Sequence, residues 1–355
     1  MKAEDAGTED WWIYKGTGVP HDGIAKLPEP PAWRVFGRPI GTGGSDLHIP
    51  PTQHSARSTA RRLGRVKQAS AYQADERELH LVNLALHLRR PLLITGKPGV
   101  GKSTLAYAVA HELQLGQVLR WPITSRSTLR DGLYTYDAIG RLYDAGMRQG
   151  AFAQDGFSEN DTPGIGRYLR LGPLGTALLP WRYPRVLLID EIDKSDIDLP
   201  NDLLNVFEEG EFEIPELSRL SVDDQTVMTA DGDQTAAVCG GLVACSEFPL
   251  VILTSNAERE FPSAFLRRCV RLEISTPNED RLAAMVDAHL GDSRDSAEAR
   301  AEVIAEFSRR QREEGAELAN DQLLNALLMV ERGLWRGVRG RRLIESELMR
   351  PLNES

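Results

Sequence analysis

Cysteine is scarce in this chain of 355 residues: Cys239, Cys245 and Cys269 are all there is. An odd, scattered set cannot build a disulfide framework. No second Cys/His pair supplies zinc spacing either, so small buried hydrophobes in a reducing interior are expected. Long apolar runs are missing too, none approaching the ~20 residues that cross a bilayer, so no membrane association is expected. The N-terminus, MKAEDAGTEDWWIYKG, has acids where a signal peptide has bases and no apolar centre, so a cytoplasmic protein is expected. Nor is there an excess of positive charge. With 42 Lys and Arg against 52 Asp and Glu, the net charge of −10 argues against a surface that coats nucleic acid, although it leaves room for a local basic channel. No internal repeat of solenoid length is found.

What is present is an ordinary globular composition, 41% hydrophobic and 26% charged. The length exceeds the roughly 250 to 300 residues at which one core stops growing, so two packed units are expected. Residues 1–65 are an extension rich in Pro, Gly and Ser, without helical period. Its aromatics, Trp11, Trp12, Tyr14, Trp33 and Phe36, are too many for a bare linker. They either staple the segment onto the core or dock a partner, and the staple is the expectation.

From 71 to 90 the spacing of Leu79, Val82 and Leu86 predicts a helix, with acids first and bases last as the helix dipole favours. Pro91 stops it. Continuous apolar strands then alternate with helices: LLIT (92–95), VLRWPI (118–123), VLLID (186–190), LVILTSN (250–256) and VRLEI (270–274). Such strands predict a parallel sheet covered on both faces over residues 66–276. Within TVMTADGDQTAAV, Asp231-Gly232 signals a β-hairpin. Beyond Pro277 strands give way to four helical stretches (278–290, 295–314, 320–335 and 341–352), so 277–355 is expected to be all-α.

Between the first strand and the next helix lies GKPGVGKST: Gly96, Lys97, Pro98, Gly99, Val100, Gly101, Lys102, Ser103 and Thr104. Strand, glycine-rich turn and helix form the context in which G-x-x-x-x-G-K-[ST] binds phosphate. The turn lets backbone N–H groups converge on phosphate oxygens, and the helix N-terminus adds its positive end. Lys102 is expected to bridge the β- and γ-phosphates, and Ser103 to place its hydroxyl on Mg²⁺.

The acids of RVLLIDEIDKSD narrow the chemistry. Asp190 ends a buried strand, where it can hold Mg²⁺ through water. Glu191 follows, able to reach the space beyond the γ-phosphate where an attacking water lies. A rigid strand keeps both acids within the tolerance of a reaction catalysed mostly by positioning and charge. Asn256, at the end of its own strand, is expected beside the γ-phosphate. Arg267 and Arg268 in FPSAFLRRCVRL are candidates for a charge delivered to a neighbouring subunit's γ-phosphate.

Together these motifs resemble the AAA+ ATPases: Walker A in GKPGVGKST, Walker B in VLLIDEID, sensor 1 in TSN and an arginine-finger segment in FLRRC. DEIDKSDIDLPNDLLNVFEEGEFEIPE and RYLRLGPLGTALLP resemble the MoxR group, and WWIYKGTGVPHDGI and PPAWRVF its members in bacterial conflict systems. The resemblance implies a P-loop NTPase core with sheet order 5-1-4-3-2, helix-2 and pre-sensor-1 insertions, and a C-terminal all-α lid. It implies ATP and Mg²⁺ as cofactors, with Lys102, Ser103, Asp190, Glu191, Asn256 and one of Arg267 or Arg268 as site residues. It also implies a ring homo-oligomer, commonly a hexamer, with a von Willebrand factor A protein and an effector as partners. One departure concerns the lid: where a sensor-2 arginine is usual, ELANDQLL offers Asn320 and Asp321, with Arg332 and Arg336 the nearest substitutes.

The leading expectation is an ATP-hydrolysing ring that remodels or activates a protein partner. The alternatives are an ATP-operated switch or scaffold with little turnover, a McrB-like nucleic-acid motor, and, last, a small-molecule kinase.

Overall fold

In the computed structural model, the described residues are 10–37, 47–48, 69–70, 72–152, 164–220, 224–232, 234–276, 282–283, 285–286, 297–313, 318, 320–332, 346 and 348–350. Their strands are β1 (Leu92–Thr95), β2 (Leu119–Pro122), β3 (Tyr134–Tyr136), β4 (Leu169–Leu171), β5 (Val186–Asp190), β6 (Glu211–Glu213), β7 (Asp224–Met228), β8 (Thr235–Cys239), β9 (Leu242–Ala244), β10 (Leu250–Ser255) and β11 (Val270–Glu273). Their longer helices are α1 (Glu76–Leu88), α2 (Lys102–Glu112), α3 (Ala138–Phe152), α4 (Leu199–Glu209), α5 (Ala297–Glu313) and α6 (Asn320–Glu331).

The five expected strands form one parallel sheet in the order β11-β1-β10-β5-β2, which in chain order is 5-1-4-3-2. Successive side chains of a strand point to opposite faces, and this sheet covers both. Leu93, Leu187, Ile189, Val251 and Leu253 fill one core, while Leu92, Ile94, Val186, Leu188, Leu250 and Ile252 fill another shared with α1 and α2. Fully burying one such side chain contributes about 1.5–3 kcal/mol, so these runs fix the register firmly. Thr95 pairs with Ser255 and Pro122 with Asp190, bringing the carboxyl ends of the strands to one edge, where open α/β sheets bind ligands.

A second sheet, in the order β3-β4-β7-β8-β9-β6, was visible in the sequence only as its β7–β8 hairpin, whose turn holds Gly232 at φ +76°. Helix α1 begins later than its pattern predicts because Asp75 caps it, accepting from Glu78 N while Glu78 accepts from Asp75 N. It ends at Arg89, which takes a left-handed conformation before Pro91.

The N-terminal aromatics divide. Ile13, Tyr14 and Ile24 belong to the α1–α2 core, while Trp33 is 76% exposed. Polar groups fasten the segment. Asn83 Oδ1 accepts from Ile13 N (2.7 Å) and Tyr14 N (2.9 Å), and the fully buried Glu112 carboxylate accepts from Lys15 N, Gly16 N, Gly18 N and Thr17 Oγ1. Farther on, Arg34 lies buried with its guanidinium 4.8 Å from the rings of Phe36 and Phe248, donates to Arg89 O and Phe207 O, and pairs with Glu208 of α4.

Helices α5 and α6 share a third core with Leu282, Val286, Leu318 and Met349. The helices expected over 278–290 and 341–352 lie largely outside the described residues. Among the described residues, no helix is long and apolar enough to cross a membrane.

Candidate functional site

The glycine-rich turn leaves β1 under tight backbone constraint. Gly96 has φ +154°, and a Cβ there would lie 2.4 Å from Ile274 O; Gly101, at φ +99°, sits immediately before α2. Only glycine takes both conformations without strain. Lys97, Pro98 and Gly99 are exposed and Val100 is buried beneath them; Thr104 N donates to Gly101 O at 3.0 Å in the first turn of α2.

Lys102 opens α2, and its Nζ donates to Gly96 O (2.7 Å), Lys97 O (2.8 Å) and Asn256 Oδ1 (2.8 Å). Burial pulls its pKa below the usual lysine value, against the opposing pull of Asp193, Glu191, Asp190 and Glu258.

Asp190, at the end of β5, accepts at both oxygens. Oδ1 takes hydrogen bonds from Ser103 Oγ (2.7 Å) and Thr254 Oγ1 (2.8 Å), and Oδ2 takes a two-pronged contact from Arg120 Nε (3.1 Å) and Nη2 (2.6 Å). Burial works to raise this carboxyl's pKa, but the hydrogen bonds from Ser103, Arg120 and Thr254 prevail and hold it below the usual carboxylate range.

Glu191 adopts the left-handed region, φ +62°, at the abrupt turn out of β5, with its N–H donating to Thr254 Oγ1 at 2.9 Å. Its half-exposed carboxylate accepts from Lys194 Nζ at 2.8 Å. Asp193 is buried. Its Oδ2 accepts from Asn256 N (2.8 Å) and Glu258 N (3.4 Å), while Oδ1 has no hydrogen-bond partner among the described residues. Arg259 then donates to Ser195 O (2.8 Å) and Ser195 Oγ (2.9 Å), so the loops after β5 and β10 are zipped together.

The structure therefore places two hydrogen-bonded groups side by side: Ser103 and Asp190 with Thr254, which also accepts from Glu191 N, and Lys102 and Asn256 with Asp193. It does not join Arg267 and Arg268 to either group. Arg268 pairs through Nε with Glu208 of α4 and donates from Nη1 to Ala264 O at 3.2 Å. The exposed Arg267 side chain has no partner among the described residues; its backbone N–H donates to Ser263 O at 3.1 Å and its carbonyl accepts from Arg90 Nη1 at 3.3 Å. Arg332 lies just past α6, and Arg336 falls outside the described residues.

Sequence reasoning missed Arg120, Thr254, Asp193 and Lys194. The available signals were faint: a lone charge inside the apolar VLRWPI, and a hydroxyl two places before Asn256.

The donor set suits Mg²⁺. A serine hydroxyl and a carboxylate oxygen 2.7 Å apart are hard ligands, and Mg²⁺ takes one or two of these together with phosphate oxygens. Among the described residues no cluster of three or more His, Cys, Asp or Glu side chains could hold a metal ion by itself.

Residues 91–269, half of the chain, match the family described as AAA domain (dynein-related subfamily). No curated protein matches the chain. Similar solved structures include domain III of the Thermotoga maritima replication initiation protein DnaA, at 14% identity over 80% of this chain and 98% of that one, with a TM-score of 0.38. The AAA domain of FIGL-1 in complex with ADP is 18% identical over 72% of this chain and 64% of that one, TM-score 0.32. A RuvB variant of Thermotoga maritima is 12% identical over 72% and 61%, TM-score 0.36. Of these last two the chain spans less than two thirds.

Proposed function

The chain belongs to the AAA domain family, dynein-related subfamily, and from that premise we propose that it binds ATP with Mg²⁺ and hydrolyses it in a ring to remodel or activate a protein partner. The observation that carries this reading is the convergence of Lys102, Ser103, Asp190 and Asn256 at the carboxyl edge of the sheet, with Glu191 one residue beyond.

In this reading the turn from Gly96 to Thr104 cradles the phosphates, and Lys102 neutralises them. Ser103 and Asp190 hold Mg²⁺, which supplies charge neutralisation of the phosphates. Glu191 accepts the proton of the attacking water, and Asn256 orients it. Arg268 acts as the finger toward a neighbouring subunit. Its guanidinium is already oriented by Glu208 and Ala264 O while its Nη2 has no partner among the described residues, and orientation before reaction is what electrostatic catalysis requires. Arg267 is a flanking charge.

Residues 66–276 form the ATPase core and 277–355 the lid, with 1–65 an extension of which Ile13, Tyr14 and Ile24 pack on the core. Membership of the MoxR group, a hexameric ring, a cytoplasmic setting, and a von Willebrand factor A protein and effector as partners belong to this proposal. They rest on the sequence motifs.

One contact favours a second reading, an ATP-operated switch with little turnover: Lys194 Nζ already occupies Glu191 Oε2, so a water competes with an ion pair for this carboxylate. Steady-state ATP hydrolysis against protein concentration, with size followed by light scattering, separates the two. Specific activity that rises as rings form and disappears in Glu191→Gln supports the hydrolysing ring; nucleotide-dependent assembly without turnover replaces it with the switch.

A further inference from the structure

Asp190 shares its carboxylate between two sets of donors that the proposed chemistry does not need equally. Ser103 and Thr254 occupy Oδ1, whereas Oδ2 is taken entirely by the Arg120 fork. Arg120 stands on β2, the edge strand, paired with Leu188 two positions before Asp190. Its guanidinium carries a permanent charge, and its side chain is 44% exposed while that of Asp190 is 9% exposed. A cation is therefore held at the mouth of the site against a nearly buried anion.

The local charges give this contact its weight. Four carboxylates, Asp190, Glu191, Asp193 and Glu258, act on Lys102. The cations beside them are Lys102, Arg120 on Asp190 and Lys194 on Glu191. Removing Arg120 makes this group of side chains one charge more negative. A polyphosphate approaching Lys102 then faces the unneutralised carboxylate of Asp190, unless a divalent cation arrives with it.

We propose that Arg120 is a resident counter-charge of this site, a positioning residue that neutralises Asp190 so that the site accepts a nucleotide polyphosphate with or without its metal. This rests on the reading of the site as one for ATP. Its consequence is thermodynamic: Arg120 lowers the dependence of nucleotide binding on Mg²⁺, because the arginine and the metal serve the same carboxylate.

The test is calorimetric titration with ATP and with ADP, each in excess Mg²⁺ and in excess EDTA, on the full chain. The quantity read is the ratio of Kd in EDTA to Kd in Mg²⁺. Arg120→Gln is expected to raise that ratio about tenfold, chiefly through weaker binding in EDTA, and Arg120→Lys to retain part of the wild-type behaviour. A merely structural role weakens both arms alike, so an unmoved ratio in Arg120→Gln overturns the inference.

Should Arg120→Gln lose its native melting transition, the other neutral variant Arg120→Met decides: a ratio raised about tenfold supports the inference, and an unmoved one overturns it. On an Asp190→Asn background the carboxylate charge is gone, and Arg120→Gln is expected to leave the ratio unchanged; a tenfold rise there also overturns it. Absence of wild-type binding in both arms sinks the ATP reading and this inference with it, whereas wild-type binding with an unmoved ratio sinks this inference alone.

Discussion

Lys102 Nζ donates to Asn256 Oδ1 at 2.8 Å, so the residue that opens α2 is fastened directly to the turn that follows β10. Two separate motifs of the sequence are one contact in space. Lys102→Ala removes the cation that faces the phosphates and is expected to weaken ATP binding by about a hundredfold or more while leaving the fold intact. Calorimetry beside circular dichroism checks both halves. Asn256→Ala is expected to keep binding within about tenfold and to lose most turnover.

Glu191 holds its half-exposed carboxylate at the end of a constrained left-handed turn, so Gln fits there without moving the backbone. Glu191→Gln is expected to bind ATP as the wild type does and to lower kcat by about 10² to 10⁴. Wild-type turnover in this variant removes Glu191 from the role of base.

The contrast between neighbouring arginines gives a sharper test. Arg268→Ala is expected to abolish turnover with binding retained, and Arg267→Ala to have a smaller effect, because only Arg268 is oriented by Glu208. Mixing Arg268→Ala with Lys102→Ala is expected to restore part of the activity, since each supplies what the other lacks across a subunit boundary. No recovery in assemblies shown to be mixed refutes the placement in trans.

Beneath the site, the fully buried Arg185 just before β5 makes a fork to Asp231 in the hairpin, at 2.7 and 2.8 Å, and its guanidinium lies 4.8 Å from the Trp181 ring. Asp231→Ala leaves a buried charge without its partner, which is expected to cost about 3–5 kcal/mol. Urea unfolding followed by fluorescence measures it. An unchanged midpoint and slope refute the expectation.

Burial pushes the thiols of Cys245 and Cys269 up to about 12. Below that pH both remain protonated, and the thiolate is the reactive form. Iodoacetamide at pH 8 is therefore expected to spare both in the native protein and to label both once urea unfolds it, as read by peptide mass spectrometry. Native labelling at the rate of a free thiol contradicts the burial of these residues.

The legible parts of this molecule were those whose physics is local or strongly periodic. Leu187 to Ile189 announced a strand buried on both faces, and the spacing of Gly96, Gly101 and Lys102 announced a glycine-rich turn between a strand and a helix. The second sheet escaped because β3, β4, β6 and β9 have three residues each, too short to show a period, and because its pairing depends on contacts far apart in the chain. Arg120 escaped for a similar reason. Its meaning comes only from the pairing of β2 with β5, which no spacing in the sequence records.

Glu208 pairs with Arg268 near the last strand of the parallel sheet and with Arg34 from the N-terminal segment. Arg34 is buried against Phe36 and Phe248, and Glu208 belongs to α4, the helix that follows β5. One carboxylate thus ties three distant stretches of chain together, so Glu208→Gln would loosen the N-terminal segment and Arg268 from α4 in a single step.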